Sequence, residues 1–580
     1  MSRRLKVQLK ELLAKETGAV VREWGARVPI ALVFPQVYPV AMSNLGFQTI
    51  YRLLNDTPDL HCERAFLPDP LTLEEHRRTG TSLLTLESQR PLKDFAVVAF
   101  SLSFEADYPN ILKILELSGI PLRAQDRREE DPLVVAGGVA AFLNPEPLAP
   151  VMDAFFLGEG EAGGVEFCRF LAAKRGRLPR QELLLAVGTE VPGAYVPAGY
   201  SPVYGPDGTL AEMLPVAGLP PRVRVSHVAD LAGRPCMSEI LTPLSDWGDM
   251  FLVELGRGCS RGCRFCAAGF VYRPPRERPL AVLRPELEKG VVRKGKVGLL
   301  AAAVSDHPEI KDICRKVLEL KGELSISSLR ADSADAELFG LLAQGGVKTV
   351  TLAPEAGSER LRRVLNKHLT EETLAQAVEA AALAGIPNLR LYFMVGLPTE
   401  TPEDVRAIGR LVKYVRHRAL KALKGRPPFR QITLSLSSFV PKPWTPFQWV
   451  PMLPVPELKR RLKLVRQELA GVKEVRVHTD LPKWAYLQAL LARGDRRVGE
   501  MLLAAHHRGW PRALAESPVN PDFFVYRERG PTELFPWDLL DHGIAKSYLW
   551  EEYQLALAEK ESPPCRPEVC RRCGVCGAAA

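Results

Sequence analysis

Apolar and polar positions change rhythm several times along this chain. Between Val28 and about residue 175, short apolar runs alternate with stretches of helical period. Val28-Pro-Ile-Ala-Leu-Val-Phe34 reads as a strand, and Asn44-Leu-Gly-Phe-Gln-Thr-Ile-Tyr51 opens a helix with Asn44 or Ser43 as its N-cap. Phe95-Ala-Val-Val-Ala-Phe-Ser101 is almost wholly apolar, as a strand covered on both faces must be. A helix over Tyr108–Ser118, a strand at Leu133-Val-Val-Ala-Gly-Gly138 and an apolar run from Asp153 to Gly158 continue the alternation. It predicts a doubly wound sheet with ligand at the carboxyl ends of the strands. Residues 176–248 lose the rhythm: Pro, Gly and Tyr (Val191-Pro-Gly-Ala-Tyr-Val-Pro197) predict hairpins and a linker.

The alternation returns from Asp249. Strands are expected at Phe251–Leu255, Lys296–Ala303, Glu323–Ser328, Thr349–Ala353, Asn388–Val395 and Gln431–Phe439, with helices between. From residue 456 the period is helical, with helices expected over Pro456–Leu469, Trp484–Ala492 and Val498–His507. Residues 1–27 read as a basic amphipathic helical extension.

Composition narrows the class. The chain has 580 residues, 46% of them hydrophobic and 25% charged, which suits an ordinary globular protein of several domains. No apolar run approaches the ~18 residues of a membrane span, and no signal-type apolar core follows the start, so a cytoplasmic protein without membrane contact is expected. A net charge of +9 permits an RNA partner without requiring one. Of the 11 cysteines, seven lie in two tight clusters, the pattern of metal binding in a reducing compartment.

The first cluster is Glu254-Leu-Gly-Arg-Gly-Cys259-Ser-Arg-Gly-Cys263-Arg-Phe-Cys266. Three thiols in a glycine-rich loop can hold three irons of a cubane and leave the fourth iron open, whereas structural zinc closes with a fourth ligand. The second is Cys565-Arg-Pro-Glu-Val-Cys570-Arg-Arg-Cys573-Gly-Val-Cys576. Four thiolates there suit zinc and a second [4Fe–4S] cluster equally well.

The C-x3-C-x-aromatic-C array, with Phe265 as the aromatic residue, resembles the signature of the radical SAM superfamily. That resemblance implies a [4Fe–4S] cluster on Cys259, Cys263 and Cys266 that binds and reductively cleaves S-adenosylmethionine (SAM), inside a partial (β/α)6 barrel. It also places SAM-binding groups at strand ends, here Phe265, Ser328, Arg330, Glu355 and Gly396, with Trp444, Phe447 and Trp449 walling out water. A Gly-Gly-Glu run for the SAM amino group is absent from Ala303-Val-Ser-Asp306, which leaves that group unassigned.

Upstream, Ala99-Phe-Ser-Leu-Ser-Phe-Glu-Ala-Asp107, Val134-Val-Ala-Gly-Gly138 and Asp153-Ala-Phe-Phe-Leu-Gly-Glu-Gly-Glu161 resemble the cobalamin-binding domain ahead of many radical SAM cores. The implied cobalamin residues are Gly137, Gly138, Gly158 and Gly160. The D-x-H-x-x-G run that supplies a lower cobalt ligand is missing, so cobalamin would bind without a histidine. A domain that keeps the fold without the cofactor stays open.

The expected organisation is an α/β chain: an N-terminal helical extension (1–27), a Rossmann-like cobalamin-type domain (28–175), a linker with hairpins (176–248), the partial barrel (249–455), a mainly helical region (456–560) and a four-cysteine tail (561–580). Arg493-Gly-Asp495 and Phe535-Pro-Trp537 resemble the C-terminal region of a branch with a Cys-rich tail. The resemblance implies radical chemistry on an unknown substrate, a small molecule or RNA, with cobalamin-dependent methyl transfer as one outcome and flavodoxin or ferredoxin as electron donor. No catalytic residue is assignable. Two alternatives remain: a tRNA-modifying enzyme with a vestigial cobalamin domain, and a non-catalytic iron–sulfur protein that binds RNA or senses redox state. The run from Lys413 to Arg430, basic with no acid, is either a solvated helix face or a phosphate-contacting patch.

Overall fold

The structure, a computed structural model, describes residues 2–577; position 1 and positions 578–580, the ends of the first and last predicted segments, lie outside it. Five parallel strands and one antiparallel strand form the N-terminal sheet: β1 (Val28–Phe34), β2 (Leu60–Phe66), β3 (Val97–Ser101), β4 (Leu133–Gly137), β5 (Ala154–Phe156) and β6 (Ala194–Tyr195). Their order is β2-β1-β3-β4-β5-β6. β1, β3 and β4 are buried along nearly their whole length because helices cover both faces. The helix Leu45–Asp56 starts where its sequence dictates, since the Asn44 side chain accepts the Phe47 amide.

β2 departs from the sequence reading, which holds no strand there. His61, Glu63 and Arg64 are fully buried, and each is paired. Arg64 lies between Glu16 at 2.5 Å and Glu87 at 2.7 Å, and Glu63 accepts from Trp24, Thr85 and Ser88. Buried charges persist only with such partners.

The second sheet system is a split barrel. β7 (Phe251–Glu254), β8 (Lys296–Leu300) and β9 (Glu323–Ile326) form one parallel sheet. β10 (Thr349–Glu355), β11 (Asn388–Val395), β12 (Gln431–Ser438) and β13 (Val475–Thr479) form the other. A parallel bridge between Leu329 and Leu352 joins them. All six expected strands are present. The seventh, β13, lies inside the region read as helical and pairs parallel with β12. The helix Pro402–Ala422 returning from β11 begins with Pro at its first turn and a capping box between Thr401 and Asp404.

Residues 176–248 contain the predicted hairpin, Tyr200–Tyr204 against Leu210–Pro215, and also a helix at Arg180–Glu190 that the turn-rich composition hides. The C-terminal segment comes back to this region: Leu540–Asp541 pairs parallel with Val223–Arg224. Trp444, Phe447 and Trp449 are buried in the seam between barrel and C-terminal helices, with Trp449 stacked on Tyr553. No described helix is long and apolar enough to cross a membrane.

Candidate functional site

The loop after β7 carries the first three cysteines. Gly258 is held at φ +79°, and a Cβ there would lie 2.6 Å from the Tyr272 carbonyl oxygen, so only glycine lets the two arms of the loop meet. Cys263 is buried and Cys259 and Cys266 are half-buried. Asn366 Nδ2 donates to the Gly262 carbonyl at 3.2 Å, and Arg261 pairs with Asp306 at 2.7 Å and Asp332 at 3.0 Å, so the loop is braced from two sides. Burial pushes the Cys266 thiol up to about 12 and raises that of Cys259. A bound cation reverses that preference, because a coordinating thiol is deprotonated outright.

Beside this loop lies a cavity of about 550 Å³. Its lower wall is the carboxyl edge of the N-terminal sheet, with Ser101, Gly137, Gly138, Gly158 and Gly160. Its upper wall is the cluster loop (Gly256–Gly258, Ala268, Tyr272) with the ends of β8 and β9 (Leu300–Ala302, Ser327). The volume is that of a cofactor site, placed where doubly wound sheets bind ligands. Ser327 Oγ lines the cavity, is buried and has no hydrogen-bond partner within the chain. No histidine lines the cavity. Two of the four expected glycines have a second reason to be glycine. A Cβ on Gly138 would lie 2.4 Å from the Leu102 oxygen, and one on Gly158 would lie 2.2 Å from the Ser226 oxygen.

The two walls are tied by charge. Glu159, between the glycines, receives Arg276 Nη2 at 2.5 Å and Nη1 at 3.0 Å, and Arg257 Nη1 at 3.4 Å. Arg257 also binds Glu161 at 2.5 Å and Glu254 at 3.0 Å. Burial alone would raise the Glu159 carboxyl, but His227, Arg276 and Arg257 outweigh it and hold it down at about 2. The sequence reading noted the glycines of this run and passed over its acids. Two carboxylates flanking a glycine at a strand end were the available signal.

The five residues expected to contact SAM divide. Arg330 reaches Cys263 Sγ at 3.9 Å and is anchored by Asp332 at 3.0 Å and the Lys367 carbonyl at 2.9 Å. Glu355, at φ +67°, stands 3.5 Å from Lys367 Nζ, and its carboxyl is raised by burial against the pull of that lysine. Arg330 therefore stands beside Cys263 and is linked to Glu355 through Lys367, with Ser328 half-buried two residues away from Arg330. Phe265 packs against the hydrophobic core. Gly396 donates its amide to Glu400 at 3.0 Å and lines a separate cavity of about 400 Å³ with Arg461 and Tyr553. None of the five lines the larger cavity. In the basic run, Lys413, Arg416 and Arg418 are paired with Glu468, Glu474, Glu372 and Glu379, which is the pattern of a solvated helix face.

The start of the tail lies against the first cysteine loop. The Cys565 amide donates to the Ser260 carbonyl at 2.6 Å, and the Ser562 amide donates to Asn366 Oδ1 at 2.8 Å. Among the described residues, the one group of three ligand-type side chains with donor atoms within 4.8 Å of one another is Glu116, His506 and His507; neither cysteine set is gathered so tightly.

Two family profiles match this chain: one described as "Radical SAM proteins, N-terminal" over residues 46–197, and one described as "Radical SAM superfamily" over residues 253–412. Uncharacterized protein MJ0966 of Methanocaldococcus jannaschii is 31% identical over 438 residues, which cover 74% of this chain and 85% of the relative. Uncharacterized methyltransferase PH0819 of Pyrococcus horikoshii is 27% identical, covering 49% of this chain and 58% of the relative. A solved structure of the cobalamin-dependent SAM radical enzyme OxsB, with aqua-cobalamin and SAM bound, superposes with a TM-score of 0.49 at 15% identity, covering 83% of this chain and 66% of that one.

Proposed function

The chain belongs to the radical SAM superfamily, and we propose that it is a methyl-transferring member whose interdomain cavity holds a cobalamin. It is an enzyme whose cofactors are a [4Fe–4S] cluster and SAM. The cluster ligands we assign are Cys259, Cys263 and Cys266. A cluster held there would supply the one electron that splits SAM into methionine and a 5′-deoxyadenosyl radical, which becomes 5′-deoxyadenosine by taking a hydrogen atom from the substrate.

The chain's own residues do the rest. Asn366, Arg261 and Asp306 fix the loop so that the three sulfurs hold their places. Arg330, anchored on Asp332, sets a positive charge beside Cys263. Ser327 offers a free hydroxyl to a ligand in the cavity. Arg257 and Arg276, bound to Glu159 and Glu161, hold the cavity's two walls at fixed separation and keep bulk water from that edge.

One observation carries the proposal: a single cavity joins the carboxyl edge of the N-terminal sheet to the cluster loop. A flat cofactor on Gly137, Gly138, Gly158 and Gly160 would face the site of SAM cleavage. The similarity to a protein named as a methyltransferase agrees with this reading. With no histidine in the lining, cobalamin would bind without an imidazole below the cobalt. Anaerobic, iron-loaded protein titrated with hydroxocobalamin tests it. Saturable binding, with no nitrogen superhyperfine splitting from a protein imidazole in the EPR spectrum of the reduced form, is expected. Absence of binding at large excess refutes the cobalamin assignment and leaves SAM cleavage untouched.

A further inference from the structure

We propose that Cys565, Cys570, Cys573 and Cys576 hold a second [4Fe–4S] cluster that passes electrons one at a time to the cluster on Cys259, Cys263 and Cys266. The relay rests on the assignment of that first cluster made above. Four thiolates fill the coordination of a cubane, so this centre has no open iron for SAM and is left with a structural or electron-carrying role.

The sulfur spacing bears on the metal. A tetrahedral zinc with bonds of ~2.3 Å holds its sulfurs roughly 3.8 Å apart. No three tail sulfurs lie within 4.8 Å of one another, and the cysteines of the first loop are spread in the same way. Neither set is therefore gathered as closely as a single tetrahedral ion would hold it.

The contacts bear on the route. Ser260, whose carbonyl takes the Cys565 amide at 2.6 Å, directly follows Cys259. A ligand of one centre is thus linked to a ligand of the other through one hydrogen bond and the backbone of neighbouring residues. The junction is clamped by fully buried Arg264, one residue from Cys263. It donates to the Lys560 carbonyl at 2.8 Å and pairs with Glu552 at 3.1 Å, and Glu552 in turn binds Arg572 at 2.8 Å beside Cys573. Asn366 joins the same clamp, accepting the Ser562 amide while donating to Gly262. A purely structural tail would not need its first ligand bonded next to a ligand of the other set.

No described tail residue lines the large cavity, so the described part of the tail meets the cluster loop away from that cavity. Around the half-buried Cys570, Arg571 and Arg572 are exposed and Val569 is 73% exposed. Arg572 is paired with Glu552, and Arg566 and Arg571 against Glu568 leave that surface net positive, which suits an acidic one-electron carrier of the flavodoxin or ferredoxin class. The balance is simple. The carrier loses one electron as the tail cluster goes from its 2+ to its 1+ state. The tail cluster returns to 2+ as the first cluster is reduced, and no proton moves.

The test uses full-length, anaerobically purified protein and the double variant Cys570→Ala/Cys573→Ala. Wild type should hold about eight irons and no zinc, and the variant about four irons. In wild type reduced by dithionite, EPR should show two signals, only one of which changes when SAM is added; the variant should keep that one. With reduced flavodoxin as donor, 5′-deoxyadenosine formation should be lost in the variant. With dithionite, which reaches the first cluster directly, it should persist. About four irons and one zinc in wild type, or undiminished flavodoxin-driven cleavage in the variant, overturns the relay. If the variant does not fold, the metal count and the two wild-type EPR signals decide the matter. Wild type that cleaves no SAM with dithionite, while carrying eight irons, refutes the first-cluster reading instead.

Discussion

Replacing Glu159 with Gln tests what joins the N-terminal domain to the barrel. Gln keeps the shape of the side chain and one acceptor, but it turns an amide toward guanidinium groups that only donate. Two independent routes give the cost. Burial leaves the Glu159 side chain 2% exposed and Arg276 8% exposed, so the substitution strands a buried cation, which costs about 3–5 kcal/mol. The carboxyl is held at about 2 against an ordinary 4.5, a difference worth about 3 kcal/mol in favour of the ionised folded form. Because this carboxyl is depressed, its stabilisation is complete above pH 4.5 and drains away as pH falls toward 2. The difference between variant and wild type should therefore be full at pH 7 and shrink below pH 4. Hydrogen exchange at the Val228 amide, which donates to Glu159 Oε2 at 3.0 Å, reports local opening. It should accelerate ~100-fold at pH 7, since each 1.4 kcal/mol is tenfold. A second variant, Arg276→Met, should cost a similar amount alone, and the double variant much less than the sum. An acceleration below threefold at pH 7, or additive single variants, would refute the claim that this cluster holds the walls together.

Three further outcomes follow from the same geometry. Gly158→Ala, at φ +139° with its new Cβ 2.2 Å from the Ser226 oxygen, should lower stability by about 1–3 kcal/mol and shift the thermal midpoint, whatever the cavity binds. Ser327→Ala removes a hydroxyl that bonds nothing in the chain, so stability should hold within ~0.5 kcal/mol while ligand affinity, read by equilibrium dialysis with SAM and with hydroxocobalamin, falls about tenfold for whichever it contacts. Replacing Cys259, Cys263 and Cys266 together by Ala should abolish 5′-deoxyadenosine formation under dithionite and leave the tail metal in place; retained cleavage refutes the ligand assignment.

Where the physics was local, the sequence was enough. β1 and β11 run over the residues their apolar patterns mark, and Asn44 caps its helix as expected. β2 escaped because its buried His61, Glu63 and Arg64 are made tolerable by Glu16, Glu87 and Trp24, partners that no window of sequence contains. β13 is five residues of mixed polarity, half-buried to exposed, so it carries no apolar run at all. The cysteine sets were legible because ligand spacing is itself a local property. The Glu159, Arg257 and Arg276 cluster was not, since the charges meet only after two domains have folded. Arg330, expected to face SAM, is drawn to Asp332 two positions along the chain and to Cys263.

The hydrogen bond between Ser260 and Cys565 also sets an order of events during biosynthesis. The ribosome releases the first cysteine loop long before it releases the segment that closes over its back. Until then the Ser260 carbonyl and Asn366 Oδ1 lack their tail partners, and Arg264 lacks Glu552 and the Lys560 carbonyl. Emergence of the last residues then supplies them. A chain that stops short of residue 552 would lack all of these contacts, so its cysteine loop would be held only by the barrel's own residues.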